Sequence, residues 1–111
     1  MSRICKKFNY KLENCEYLQV VKYEPGGFFT THVDACCEDT LVCKKENSLI
    51  GKRLATILIY LNDDYEGGET EFVLLNKKIK PEKNSAVLFM NVGENDNKCH
   101  LLSHHRGNNI I

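Results

Sequence analysis

Apolar residues lie in short runs, β-branched or aromatic in character, separated by polar turns rather than recurring every three to four positions. Tyr17 to Tyr23 (YLQVVKY) predicts a strand. Glu24-Pro25-Gly26-Gly27 predicts a turn, because Pro presets φ and Gly admits positive φ. Phe28 to Asp34 predicts a second strand. Arg53 to Asn62 (RLATILIYLN) is the strongest strand signal: it is apolar almost throughout, as expected for a strand covered on both faces. Beyond the acidic turn Asp63-Asp64-Tyr65-Glu66-Gly67-Gly68, strands are predicted over Glu69 to Leu75 and Lys77 to Lys80. A turn at Pro81-Glu82-Lys83-Asn84 leads to Ser85 to Asn91 (SAVLFMN), predicted as a buried strand, and Cys99 to His105 is predicted as the last. Lys6 to Glu16 predicts one short helix, and Val92 to Lys98 a polar loop. Ala35 to Lys52 has no clean period and is predicted as a long loop, either a lid beside a site or a surface insertion.

About eight short strands with turns every 8–12 residues and little helix predict a mainly β, antiparallel sandwich or barrel. The 111 residues are enough for one domain spanning 1–111. Lys+Arg and Asp+Glu both number 15, so formal charge is zero and no electrostatic argument favours nucleic acid or an anionic membrane as partner. No apolar run is long enough to span a bilayer. Met1 to Lys11 is basic without an apolar core, unlike a secretory signal, and this favours a cytoplasmic location. The six cysteines, Cys5, Cys15, Cys36, Cys37, Cys43 and Cys99, include no Cys-x-x-Cys pair. They are expected to be free thiols of a reducing compartment, with a bridge or structural metal in the Cys36-Cys37-x5-Cys43 cluster left open.

The candidate chemistry centres on Thr31-His32-Val33-Asp34. On a strand, His32 and Asp34 project to the same side, two donors separated by one residue. His100, His104 and His105 near the C-terminus can each supply a third. Two imidazoles and one carboxylate on one face of an Fe(II) ion leave three positions open for substrates.

The run LQVVKYEPGGFFTTHVD from Leu18 to Asp34 resembles the iron-binding segment of prolyl 4-hydroxylase-type 2-oxoglutarate dioxygenases. Arg53 to Asn62, followed by Gly67-Gly68-Glu69-Thr70-Glu71-Phe72, is similar to their central strand and the Gly-Gly-Glu-Thr strand after it. Ile79-Lys80-Pro81 with Ala86-Val87-Leu88-Phe89 is similar to their next hairpin. These motifs occur in the family's order over nearly the whole chain. The resemblance implies a double-stranded β-helix (jelly roll), here expected to be truncated at both ends, and the metal ligands His32, Asp34 and His105. His105-Arg106-Gly107-Asn108-Asn109-Ile110 keeps the family's register at the distal ligand, with Ile110 where Val is usual; His100 is the alternative, and Asn108-Asn109 departs from the family's Pro.

The resemblance further implies that Tyr23, Thr56 and Tyr60 bind 2-oxoglutarate, that ascorbate is the reductant, and that a proline-containing peptide or protein is hydroxylated at C4 with release of succinate and CO2. The alternatives are an oxygenase acting on a lysyl or small-molecule substrate, and a jelly-roll module that binds peptide or metal without turnover. The family carries a basic residue beyond the distal His that pairs with the far carboxylate of 2-oxoglutarate. The chain stops at Ile111 before that position, and Arg106 is the candidate to compensate.

Overall fold

A computed structural model describes residues 2–93 and 98–111. Among the described residues, six strands form two antiparallel sheets. β1 (Phe29–His32), β3 (Thr70–Phe72), β4 (Lys77–Ile79) and β6 (His105–Gly107) make a four-stranded sheet in the order β1-β6-β3-β4. β2 (Ala55–Ile59) and β5 (Ala86–Met90) make a two-stranded sheet. The chain's last strand therefore lies between β1 and β3. The register sets Phe72 opposite His105 and Thr70 opposite Gly107 on one side, and His32 opposite His105 on the other, with a bulge between Phe29 and His32.

The two sheets meet through their inner faces. The Tyr60 hydroxyl, from the residue just after β2, lies 2.6 Å from Thr70 Oγ1 on β3. Phe72 meets Phe89 of β5 edge-on at 5.1 Å between ring centroids. In β2 and β5 the pairs Thr56–Phe89 and Leu58–Val87 share one register set, and Ile57–Leu88 lies on the opposite face by strand alternation. The expectations that β2 is covered on both faces and that β5 is buried are not met: every residue of β2 is only partly buried, and Leu88 and Met90 of β5 are 36% and 42% exposed. On this outer side the Tyr10 hydroxyl reaches the Met90 sulfur at 3.7 Å.

Several expected elements differ. The stretch from Lys6 to Glu16 is not one helix: a helix ends at Lys7, Asn9 at φ 62° breaks the run, and a 3-10 turn follows at Leu12–Asn14. The strands expected over Phe28 to Asp34 and Glu69 to Leu75 end at His32 and Phe72. Tyr17 to Tyr23 is not a strand; Tyr17 is 96% exposed and the segment has no ladder partner, without which strand propensity fixes nothing. The expected 35–52 loop holds a helix, α2 (Leu41–Ile50), preceded by α1 (Ser2–Lys7) in the N-terminal segment. Thr40 caps α2, accepting a hydrogen bond from the Cys43 N–H at 3.2 Å, and Gly51 at φ 78° ends it. The expected last strand over Cys99 to His105 is a 3-10 turn at Leu101–Ser103 followed by β6. Of the expected 92–98 loop, residues 94–97 lie outside the described residues.

Four cysteines are disulfide-bonded, against the expectation of free thiols: Cys36 to Cys43, and Cys37 to Cys99. The first pair closes where α2 folds back on the segment before it. The second joins the chain just after Asp34 to the chain just before the 3-10 turn. The thiol-based argument for a reducing compartment lapses with them. Cys5 and Cys15 are free thiols with their sulfurs 2.9 Å apart. Among the described residues no helix is long and apolar enough to cross a membrane.

Gly67 and Gly68 need their lack of a Cβ. Both have positive φ, and a Cβ on Gly67 would collide with the Asn109 carbonyl oxygen. The tail lies in the space this leaves: Gly68 N–H donates to Asn109 O at 3.0 Å, and Gly26 N–H donates to Ile110 O at 2.7 Å.

The two bridges should contribute unequally, because a cross-link constrains the unfolded chain more as the loop it closes grows. With sequence separations of 62 for Cys37–Cys99 and 7 for Cys36–Cys43, loop-closure entropy gives about 4 and about 2 kcal/mol. Urea unfolding of the Cys37→Ser/Cys99→Ser and Cys36→Ser/Cys43→Ser chains should show the larger loss in the first; equal losses would contradict this ordering.

Candidate metal centre

His32 is the last residue of β1, Asp34 lies two residues on, and His105 opens β6. Antiparallel pairing of β1 with β6 sets the two imidazoles side by side, with ring centroids 4.3 Å apart. Asp34 Oδ1 lies 3.2 Å from His32 Nε2 and 3.3 Å from His105 Nε2. One ligand atom from each residue falls within 4.8 Å of the others, the one such group among the described residues. His105 is buried, and His32 and Asp34 are partly exposed, so the group is open on one side.

Each imidazole is oriented by the backbone. His32 Nδ1 lies 2.6 Å from Thr30 O, and His105 Nδ1 lies 2.7 Å from Ser103 O. A carbonyl oxygen only accepts, so both Nδ1 atoms carry their proton and donate it. Both Nε2 lone pairs are thereby directed to one point, the usual arrangement for imidazole ligands. Aromatic rings close the buried side, Phe89 and Phe72 lying 4.9 Å and 5.7 Å from the His105 ring; the half-exposed Phe29 lies 4.1 Å from the His32 ring.

The donor spacing suits a shared cation. Two donors about 2.1 Å from one ion and at right angles stand about 3.0 Å apart. A direct charge-assisted N–H···O bond would draw the atoms to about 2.7–2.9 Å. The observed 3.2 and 3.3 Å lie near the first figure, and in the metal-free chain they leave room for the longer hydrogen bond between His105 and Asp34. The donor set, two neutral-capable imidazoles and one carboxylate, fits Fe(II).

In the metal-free chain the same proximity shifts the protonation equilibria. Burial alone would raise the Asp34 carboxyl, but hydrogen bonds from His105 and Thr56 and the attraction of both imidazoles hold it below the ordinary carboxylate range. Burial alone would lower His105, but the bond to Asp34, the Ser103 carbonyl and the carboxylate's charge raise it above the ordinary imidazole value.

The other expected site residues are placed unequally. Thr56, on the inner face of β2, donates its hydroxyl proton to Asp34 Oδ2 at 2.7 Å. Tyr60 is 8% exposed and bonded to Thr70; burial raises its phenol above the ordinary value. Tyr23 is 43% exposed, lies against Gly27, and its hydroxyl has no hydrogen-bond partner among the described residues. His100 and His104 are outside the cluster; His104 Nδ1 is bonded to Leu101 O at 2.7 Å. Arg106 is not placed to meet a cosubstrate at the centre, because strand alternation turns it to the face opposite His105. There its guanidinium holds Glu71 at 2.9 and 3.2 Å, alongside Asn108. Arg53, which precedes β2, makes a two-pronged pair with Glu16 at 2.8 and 2.9 Å.

Asn91 is the site neighbour that sequence reasoning passed over. It ends the apolar run SAVLFMN, is fully buried, and donates from Nδ2 to Thr56 Oγ1 at 2.9 Å. A polar residue closing an otherwise apolar buried run was the available signal.

A family model described as the 2OG-Fe(II) oxygenase superfamily matches residues 18–110. A protein of Acanthamoeba polyphaga mimivirus, named as a candidate prolyl 4-hydroxylase, is 41% identical over 104 residues, covering 94% of this chain and 43% of its own. Prolyl 4-hydroxylase 1 of Arabidopsis thaliana is 40% identical over 94 residues, covering 73% of this chain and 31% of its own. The crystal structure of a viral collagen prolyl hydroxylase from Paramecium bursaria Chlorella virus-1, in its 2OG complex, superposes with a TM-score of 0.65 at 34% identity, covering 79% of this chain and 47% of that one. The chain thus spans less than half the length of each of these relatives. The facing sheets are of the jelly-roll type that the resemblance implies, and the chain belongs to the 2OG-Fe(II) oxygenase superfamily, whose cofactors are Fe(II) and 2-oxoglutarate.

Proposed function

We propose that this chain carries the catalytic centre of an Fe(II)- and 2-oxoglutarate-dependent prolyl 4-hydroxylase. The observation that carries the reading is the convergence of His32 Nε2, Asp34 Oδ1 and His105 Nε2 at a spacing that suits one ion. These three atoms would hold Fe(II). When bound, the iron lets 2-oxoglutarate and O2 react with a C–H bond to give succinate, CO2 and an alcohol. Peptidyl proline is the proposed substrate because the relatives are named prolyl 4-hydroxylases and a collagen prolyl hydroxylase. Ascorbate is the proposed reductant.

The chain's own residues provide geometry and exclusion of water. The Thr30 and Ser103 carbonyls hold both imidazoles in the ligating tautomer. Phe72 and Phe89 keep the buried side of His105 dry. Thr56 and Tyr60, at the inner face of β2 and just beyond it, are the proposed cosubstrate contacts, together with Tyr23 from the segment before the Pro25-Gly26 turn.

Anaerobic Fe(II) titration with and without 2-oxoglutarate, followed by succinate measurement on a proline-rich peptide, tests this reading. The expected result is a visible charge-transfer band that needs both components, and succinate that needs the peptide. Both should be lost in His105→Ala. Metal binding without succinate would instead support a binding module without turnover, and a peptide-independent result would point to another substrate.

A pH dependence follows from His105. Its raised value means that the metal-free chain retains a proton on this imidazole above the pH at which a free one loses it. Iron binding must displace that proton, so metal affinity should rise with pH through the His105 titration. In the metal-free chain, Asp34→Asn removes the stabilising charge and should shift the His105 imidazole NMR titration downward; an unchanged titration would contradict the assigned cause.

A further inference from the structure

We infer that Asn91 and Thr56 form a positioning relay that commits one oxygen of Asp34 to the protein and leaves the other to the metal. The inference rests on the metal reading above and adds two residues to it.

The relay runs through two hydrogen bonds, Asn91 Nδ2 to Thr56 Oγ1 at 2.9 Å and Thr56 Oγ1 to Asp34 Oδ2 at 2.7 Å. Proton counting fixes its direction. A carboxylate only accepts, and the threonine hydroxyl has one proton, so that proton points to Asp34. Thr56 can then only accept from Asn91, which requires the amide to present Nδ2 and to turn Oδ1 away. Oδ1 is buried and has no partner among the described residues. The side chain is 0% exposed. A buried amide with an unpaired acceptor is unfavourable as packing alone, so its placement is explained better by the bond it makes than by the space it fills.

The backbone of Asn91 is held just as firmly. Its N–H donates to Leu54 O at 2.8 Å, and its carbonyl accepts from His100 N–H at 2.9 Å. His100 O in turn accepts from the Ser103 hydroxyl at 2.7 Å, and the Ser103 carbonyl orients His105. Asn91 therefore contacts the Asp34 side through its amide and the His105 side through its main chain.

The consequence is for coordination. Asp34 Oδ1 faces both Nε2 atoms, and Oδ2 is occupied by Thr56. A carboxylate bound through one oxygen leaves three positions on the ion, which two-point chelation by 2-oxoglutarate and O2 together require. A carboxylate free to bind through both oxygens would take one of those positions.

The test is Co(II) titration of the whole chain and of Thr56→Val, Thr56→Ser and Asn91→Leu, read by visible absorption, with thermal unfolding to confirm folding. Thr56→Val keeps the shape and loses the donor. It should bind Co(II) about 10–100-fold more weakly and alter the visible band. Thr56→Ser should restore both affinity and band, which a role in packing alone would not produce. Asn91→Leu should shift them in the same direction as Thr56→Val; should it fail to fold, the two Thr56 variants decide. Parental affinity and spectrum in Thr56→Val would overturn the relay and leave the metal centre intact. Absence of Co(II) binding by the parent chain would overturn the metal reading and the relay with it.

Discussion

The centre depends on one carboxylate held between two imidazoles that come from opposite ends of the chain. Asp34 Oδ1 sits near both His32 and His105, and nothing in local sequence brings the last two together. That task falls to the antiparallel pairing of β1 with β6 and to the placement of β6 between β1 and β3. The Cys37–Cys99 bridge acts in the same place, joining the segment after Asp34 to the segment before His105. The tail continues the arrangement, bonded to Gly26 and Gly27 on one side and to Glu66, Gly68 and Glu69 on the other. Most of what surrounds the triad is backbone hydrogen bonding that keeps two distant segments in register.

Strand alternation divides the chemistry of β3 and β6 between two faces. His105 and Phe72 face the second sheet, where the aromatic rings of Phe72 and Phe89 surround the imidazole. Arg106 and Glu71 face the other way and neutralise each other, and the guanidinium holds the Glu71 carboxyl below its ordinary range. The inner face therefore carries one acidic group and two imidazoles within an aromatic wall, and the charged clamp that ties β3 to β6 stays outside it. A charge placed among the inner groups would change the proton balance of Asp34 and His105 directly. Asn91, by contrast, is a neutral inner-face group and reaches Asp34 only through Thr56.

The motifs at His32-x-Asp34 and Gly67-Gly68 were legible because each combines a residue type with a local spacing that has a physical meaning, whereas Tyr60 was singled out by the resemblance alone. His-x-Asp sets an imidazole and a carboxylate one residue apart, which the structure uses at the end of β1 rather than within it, and paired glycines mark a backbone that other residues cannot follow. The expected cores of β2, β3, β4 and β5 also appear where apolar runs and turns placed them. Elements governed by capping or by an absent partner were not legible in the same way. α2 depends on Thr40 and Gly51 at its ends, with little apolar periodicity between them, and the stretch before Glu24 has strand composition but no neighbour to pair with.

What the sequence by itself determined is the chemistry available: two kinds of ligand at fixed spacing, a set of short strands, and motifs in one family's order. Selection among the three C-terminal histidines needed the resemblance, and their actual positions needed the register of β6, which turns His105 inward and Arg106 outward. Tertiary structure alone decided that four cysteines pair, that Thr30 and Ser103 carbonyls orient the imidazoles, and that Thr56 and Asn91 reach Asp34. The physical reason is sequence distance. Composition and spacing constrain neighbours along the chain, whereas the partner of Asp34 is 71 positions away and that of Cys37 is 62. Only the closing of two sheets on each other converts such separations into contacts.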